Sequence, residues 1–425
     1  MAVGIKQWIQ QVTDRALEML DMRPSESPLE DLLSQCHAVL SRRGEATGLA
    51  LASSVVSSWR ALPEAVHVDF FERLLAEFGP DEVALQEAIQ AYQSAQDETQ
   101  ALRLHQAAEA KRQELFRRIN AAPGGLKTLI HMREVLRRHT KTHPHLKTID
   151  QDFVHLFTSW FNKGFLKLEL INWETPAAVL EKLIQYESVH EIQGWDDLRR
   201  RLAEDRLCFG YFHPVMPDEP LIFVEVALMK GMADAIGPLL ETPPAPPHDA
   251  DTAVFYSINN CQPGLAGVSF GNLLIKQVVS VLQQDHPNLK RFVTLSPIPG
   301  LRAWIEAEHP DWLDDFEANQ EAETLLALVA AYLTDWNGKR LRDPVARFHL
   351  GNGATLERIN AGADHSTRGQ HQSFGFMVNY LYELDHIVSN HEQLMEQGRI
   401  ATSKDVQQLL KKTVKSKIKE LPHVT

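Results

Sequence analysis

Three segments of this 425-residue chain set reactive side chains or open backbone against glycine and proline. In Thr294-Leu-Ser296-Pro-Ile-Pro-Gly-Leu301 an apolar run leads into a serine followed by two prolines and a glycine. A hydroxyl on a rigid turn just past a strand end is where α/β sheets present ligands with catalytic groups. The plainer role is to cap the helix that contains Trp304 and Ile305. In Phe348-His349-Leu-Gly-Asn352-Gly353-Ala354 a histidine lies beside an Asn-Gly turn, where its ring can face a cleft and change charge near neutral pH. Most of the chain's 19 histidines need no such role. The third segment, Tyr256 to Asn272, runs from an apolar strand through Gly264, Gly267 and Gly271 into an apolar helix. Backbone N–H groups and a helix start then converge on one spot, which suits a pyrophosphate. A tight turn whose glycines only solve backbone geometry is the competing explanation.

The same turn contains Gly267-Val-Ser269-Phe-Gly271, the G-x-S-x-G spacing of a serine-hydrolase elbow. An elbow requires its strand to end directly before the first glycine, and here Pro263 and Gly264 intervene. Downstream of His349 lie Arg358, Asn360, Asp364, Ser366 and Arg368, then Asn379-Tyr380-Leu-Tyr382. That polar density fits a site, although buried hydrogen bonding alone also explains it. His131, His139, His143 and His145 stand near Arg133, Arg137, Arg138 and Lys141, but their spacing matches no zinc motif. We read them as a solvated helix end, expect no metal, and read Lys411 to Lys419 as an exposed helix face.

The elements that position these segments fall into two kinds. Residues 1 to about 150 are expected to be all-helical. Ile5, Trp8, Ile9, Val12, Ala16, Leu17 and Leu20 make one apolar stripe, and Ser27-Pro28 reads as a capped helix start. Pro63 opens a stretch carrying Phe70, Phe71, Leu74 and Leu75, which Gly79-Pro80 ends. Asp81 to Asn120 is rich in helix formers, and Pro123-Gly124-Gly125 breaks it. Near residue 155 the pattern turns aromatic. β-like runs follow at Leu207–His213, Leu221–Leu228, Ala253–Ile258 and Arg291–Leu295, separated mostly by helical stretches. A mixed α/β sheet domain is the natural reading. The four prolines between Glu241 and Asp251 make a mobile connection there.

Composition narrows the function. At 44% hydrophobic and 23% charged residues the chain is globular rather than fibrous or disordered. A net charge of −13 argues against nucleic acid, and no run approaches the roughly 20 apolar residues of a membrane span. Three scattered cysteines suit a reducing compartment. The first residues lack signal-peptide and transit-peptide character, and a cytoplasmic protein is expected.

Taken together, Tyr186-Glu-Ser-Val-His-Glu-Ile-Gln-Gly-Trp-Asp-Asp-Leu198, His213-Pro-Val-Met-Pro-Asp-Glu-Pro-Leu221, Gly264-Leu-Ala-Gly-Val268, Leu295-Ser-Pro-Ile-Pro-Gly300, His349-Leu-Gly-Asn-Gly-Ala354 and Asn379-Tyr-Leu-Tyr382 resemble malonyl-CoA decarboxylases of the short bacterial type. They stand in the family's order and span residues 160 to 385. The resemblance implies an α+β protein: an all-helical N-terminal domain (1–155) used in oligomer contacts, then a GNAT-like mixed α/β catalytic domain (156–425). It places the catalytic serine and histidine on Ser296 and His349. It places coenzyme binding on the turn Ala266, Gly267, Val268, Ser269, Phe270, Gly271 and Asn272, with Asn352 and Tyr382 also at the substrate. Implied partners are malonyl-CoA and acetyl-CoA, with a homodimer or homotetramer and neither nucleic acid nor membrane. No metal or organic cofactor is expected, because coenzyme A is part of the substrate. The rival readings are a GNAT-type acyltransferase and a non-catalytic acyl-CoA sensor, with a hydrolase at Ser269 behind both.

Overall fold

Ser27 and Pro28 start a helix, as a capping hydroxyl followed by proline predicts: α1 runs over Pro28–Ser41, and Glu30 N donates to Ser27 Oγ at 3.5 Å. The computed structural model describes residues 27–41, 44–162, 164–268, 274–318, 323–336 and 340–415, so the stripe from Ile5 to Leu20 lies outside it. Up to residue 160 the described chain continues as α2 (Glu45–Ala61), α3 (His67–Glu77), α4 (Glu82–Ser94), α5 (Glu98–Ala108), α6 (Lys111–Ala121), α7 (Gly125–His139) and α8 (Lys147–Trp160). The helix-forming stretch from Asp81 divides because two aspartates restart it. Asp81 accepts from Ala84 N at 3.1 Å, and Asp97 accepts from Gln100 N at 2.8 Å.

The chain forms two compact units. The first comprises the chain up to Phe165 with His213–Pro217 and Gln262–Ser269; the second comprises the rest. The core of the first is aromatic: Trp59 packs on Phe70 and Phe71, and Phe116 stacks on Phe153 at 4.2 Å. Within it Arg133 is buried, its guanidinium bonded to Asp150 at 2.8 Å and to the Gly264 carbonyl at 2.7 Å. A Cβ on Gly264 would lie 2.0 Å from the Ile130 carbonyl oxygen. Gly264 is therefore required by its close approach to α7, independently of any ligand.

Apart from the ends of β2 and β3 at His213–Pro217, which group with the first unit, the second unit is built on one sheet of β1 (Lys167–Ile171), β2 (Arg206–His213), β3 (Met216–Met229), β4 (Thr252–Asn260), β5 (Arg291–Thr294), β6 (Ser296–Pro297), β7 (Thr355–Asn360) and β8 (Met377–Leu381). Its order is β1-β2-β3-β4-β5-β8-β6, with β7 on β8. The four β-like runs of the sequence fall on β2 to β5. Around the sheet lie α9 (Ala177–Tyr186), α10 (Trp195–Arg201), α11 (Ile236–Glu241), α12 (Leu274–Asp285), α13 (Leu301–Glu308), α14 (Leu313–Ala318), α15 (Glu323–Leu333), α16 (Pro344–Gly351), α17 (Thr367–Ser373), α18 (Leu384–Gln397) and α19 (Lys404–Lys415). The period-two alternation of a strand sorts the core. Val224, Val226, Ala253 and Phe255 join one cluster with Val278 and Leu282 of α12, whereas Ala227, Val254, Tyr256 and Val293 join another. Each large apolar side chain so buried contributes roughly 1.5–3 kcal/mol. The α+β class is as expected, a helical region followed by a mixed parallel and antiparallel sheet with helices around it.

Two irregularities of this sheet matter for function. β4 and β5 run parallel, pairing Thr252 with Arg291 through Phe255 with Thr294. β5 stops at Thr294 while β4 continues to Asn260, so the ladder opens there. At the same level Val226 faces Phe255 and Glu225 faces Ser257, which leaves Tyr256 as the extra residue of a bulge. Bulges commonly end pairing and redirect side chains beside sites.

Candidate active site

Ser296 lies two residues beyond β5, where the sheet opens. Its position is set by pairing with Val378 of β8 and by the proline-glycine turn that leads into α13. His349 lies near the end of α16, a helix begun by Asp343 as N-cap and Pro344 in the first turn. Asn352 N closes that helix with bonds of 3.1 Å to the carbonyls of Phe348 and His349. Gly353 then takes φ +83, and a Cβ there would lie 2.0 Å from the Ile387 carbonyl oxygen, so glycine is required.

These elements bring Ser296 Oγ to 3.1 Å from His349 Nε2, with both residues buried. On its other side, His349 Nδ1 lies 2.8 Å from the Tyr382 hydroxyl. The imidazole also stacks on Tyr380, with centroids 4.6 Å apart and planes at 22°. Ser296 Oγ donates to Thr294 Oγ1 at 2.9 Å, which also accepts from Tyr380 N at 3.1 Å. Asn379 fastens this frame: its amide donates to the Thr294 and Ala233 carbonyls at 2.8 and 3.0 Å and accepts from Arg358 and Asn360.

The sequence matches the family model of the malonyl-CoA decarboxylase C-terminal domain over residues 164–311 and 306–420, and that of the N-terminal domain over 78–161. The chain belongs to the malonyl-CoA decarboxylase family. It is similar to the crystal structure of malonyl-CoA decarboxylase from Rhodopseudomonas palustris, at 48% identity and a TM-score of 0.85 over 89% of this chain and 99% of that one. The structure from Agrobacterium vitis gives 46% identity and a TM-score of 0.82 over the same shares. The mitochondrial malonyl-CoA decarboxylase of Rattus norvegicus is 32% identical over 416 residues, 84% of each chain.

In this malonyl-CoA decarboxylase family member, burial sets the charge states of the site. Desolvation pushes the His349 imidazole down to about 3, so the ring is neutral at pH 7. Burial also drives the Tyr382 phenol well above its usual range, opposed by a hydrogen bond from the Asn352 side chain. Tyr382 therefore remains a proton-bearing hydroxyl. Asn352 Oδ1 is buried without a protein partner, an acceptor available to a bound group. Among the described residues no group of three or more His, Cys, Asp or Glu is arranged to hold a metal ion.

Of the residues singled out in the sequence, Ser296, His349, Asn352 and Tyr382 come together in this decarboxylase. Ala266, Gly267 and Val268 form the turn after the short helix Pro263–Leu265 and belong to the first unit. Gly267 takes φ +79, the left-handed region that favours glycine. Ser269, Phe270, Gly271 and Asn272 lie outside the described residues. Sequence reasoning did not assign roles to Thr294, Tyr380, Asn379 and Asp343. For Tyr380 a signal was available: in a strand, Tyr380 and Tyr382 must share a face.

Proposed function

We propose that this decarboxylase converts malonyl-CoA to acetyl-CoA and CO2 through an enolate that is stabilised and protonated at Ser296 and His349. The observation that carries this reading is the buried 3.1 Å pairing of Ser296 Oγ with His349 Nε2 beside the opened β4/β5 ladder. The substrate is that of the similar malonyl-CoA decarboxylases.

The chemistry needs no added electron sink, because the thioester carbonyl accepts the electron pair released as the C–CO2 bond breaks. The protein must hold the carboxylate perpendicular to the thioester plane and stabilise the charge that develops on the carbonyl oxygen. Ser296 hydrogen-bonds the carboxylate or that oxygen. In the free site the imidazole is neutral; the malonyl carboxylate brings a negative charge that favours its protonated form. His349 then takes up a proton from solvent and delivers it, directly or through Ser296, to the α-carbon of the enolate. Tyr382 orients the ring through Nδ1, and the Asn352 side chain hydrogen-bonds Tyr382 in turn. Residues 266–272 receive the pyrophosphate, no metal or organic cofactor takes part, and oligomer contacts lie in residues 1–155. The enzyme acts in the cytoplasm, in malonate or fatty-acid metabolism.

The direct test is release of CO2 from carboxyl-labelled malonyl-CoA by purified protein dialysed against a chelator. Chelator-resistant release that tracks the protein is expected. Tight acyl-CoA binding without release would favour the transferase or sensor, and rates restored only by added metal would overturn the cofactor-free mechanism. Tyr382→Phe keeps the ring but loses the bond to Nδ1, and kcat should fall about 10- to 100-fold with KM little changed. Unchanged kcat in that variant would remove Tyr382 from the mechanism.

A further inference from the structure

We infer that Asp343 is a positioning residue, a buried carboxylate that ties the Ser296 turn to the His349 helix and so sets the separation of the two catalytic groups. The inference rests on the Ser296/His349 reading above and adds what holds that pair in register.

Asp343 is fully buried. One oxygen, Oδ1, accepts from Val345 N at 2.9 Å and Ala346 N at 2.8 Å, the first turn of the helix that carries His349. Oδ2 accepts from the Tyr332 hydroxyl at 3.2 Å, and the backbone N–H of Gly300 lies near enough to the carboxylate to favour its charged form. Gly300 ends the Ser296-Pro-Ile-Pro-Gly300 turn. A single side chain thus hydrogen-bonds the helix of His349 and α15, and the end of the serine turn packs directly against it.

Capping alone does not explain this arrangement. An eight-residue helix needs only one acceptor oxygen at its N-cap, which serine, threonine or asparagine supplies without burying a charge. Burial penalises the charged form of Asp343 and raises its carboxyl above the usual range, and the donors around it oppose that shift without cancelling it. The second oxygen is the part that capping leaves unused, and it is the part facing Tyr332. Gly300 is shaped to the same contact: a Cβ there would lie 2.3 Å from the Tyr332 hydroxyl and 3.8 Å from Asp343 Oδ2. Only a residue without a side chain lets the serine turn close on the carboxylate. The 3.1 Å Ser296–His349 contact spans 53 positions of sequence, and such contacts need cross-links of this kind. Misplacement of a reacting group by about 1 Å costs on the order of 100-fold in rate.

The test is Asp343→Asn, which keeps a cap oxygen but sets an amide NH2 against the Gly300 N–H. It is measured alone and in combination with His349→Ala. Expected are a fall in kcat of about 10- to 100-fold, KM for malonyl-CoA within about twofold, and a double variant no slower than His349→Ala. That last result is what separates positioning from general stability, since a merely structural residue lowers Tm while the folded fraction turns over normally. If Asp343→Asn does not fold, Gly300→Ala enters the same cycle, because its Cβ displaces Tyr332 from the carboxylate. Wild-type kcat in the folded variant, or losses that multiply in the double variant, would overturn the inference. Wild-type turnover by His349→Ala alone would instead overturn the Ser/His reading, and the positioning role with it.

Discussion

His349→Ala should lower kcat on malonyl-CoA by about 10²- to 10⁴-fold while KM changes by no more than a few-fold. The imidazole stands between the Ser296 hydroxyl at 3.1 Å and the Tyr382 hydroxyl at 2.8 Å, and its face is covered by Tyr380. Truncation therefore removes the proposed proton donor and leaves Ser296 and Tyr382 without the ring nitrogens they contact. KM should be spared because most of the contact surface of the substrate belongs to the coenzyme rather than to the malonyl group. Initial-rate measurements of labelled CO2 release, with circular dichroism to confirm folding, check this. A folded variant that turns over at the wild-type rate would show that the proton comes from another group. Ser296→Ala in parallel sorts the serine's role: as a hydrogen-bond donor its loss should cost less than that of His349, as a nucleophile at least as much.

The second large effect concerns stability in acid. The folded-state pKa of His349 is about 3, against 6.5 for an ordinary histidine, with burial as the cause. Between those values the unfolded chain binds a proton that the folded protein does not, so stability rises with pH across the window. The contribution is fully present above pH 6.5 and is lost progressively as pH falls toward 3, by an amount on the order of 4 kcal/mol at most. His190 acts with the same sign: burial pushes it down to about 4, against the pull of Glu187 and Asp364. Glu225 acts the other way. Burial holds its carboxyl up at about 8 despite Arg201 at 2.9 Å, so the folded protein binds the extra proton and stability falls as pH rises from 4.5 to 8. These opposed contributions make a difference between variants the informative quantity. The stability of wild type minus that of His349→Ala, from urea unfolding, should shrink steadily from pH 7 to pH 4. A constant difference over that range would mean that His349 is not depressed.

The short-range features of this protein are legible in its sequence because they depend on neighbours in the chain. Ser27-Pro28 caps α1, Asp81 and Asp97 restart helices, and the apolar runs 207–213 and 253–258 become β2 and β4. Motifs in order, from Tyr186 to Tyr382, were enough to place the chain in its family, and two of them carry Ser296 and His349. What the spacing does not encode is which distant segments meet. Ser296 reaches His349 because the sheet order puts β5 and β6 on either side of β8, which also delivers Tyr380 and Tyr382. The same holds for Gly264, which resembles a ligand-binding glycine in sequence and is required by its approach to α7 in the structure. Charge state is equally non-local. A histidine beside Asn-Gly looks solvent-facing and ready to titrate near neutrality, yet the fold buries its ring, and desolvation by residues remote in the chain holds it neutral. Local chemistry specifies the elements and their reactive side chains, whereas packing alone decides their separations and their protons.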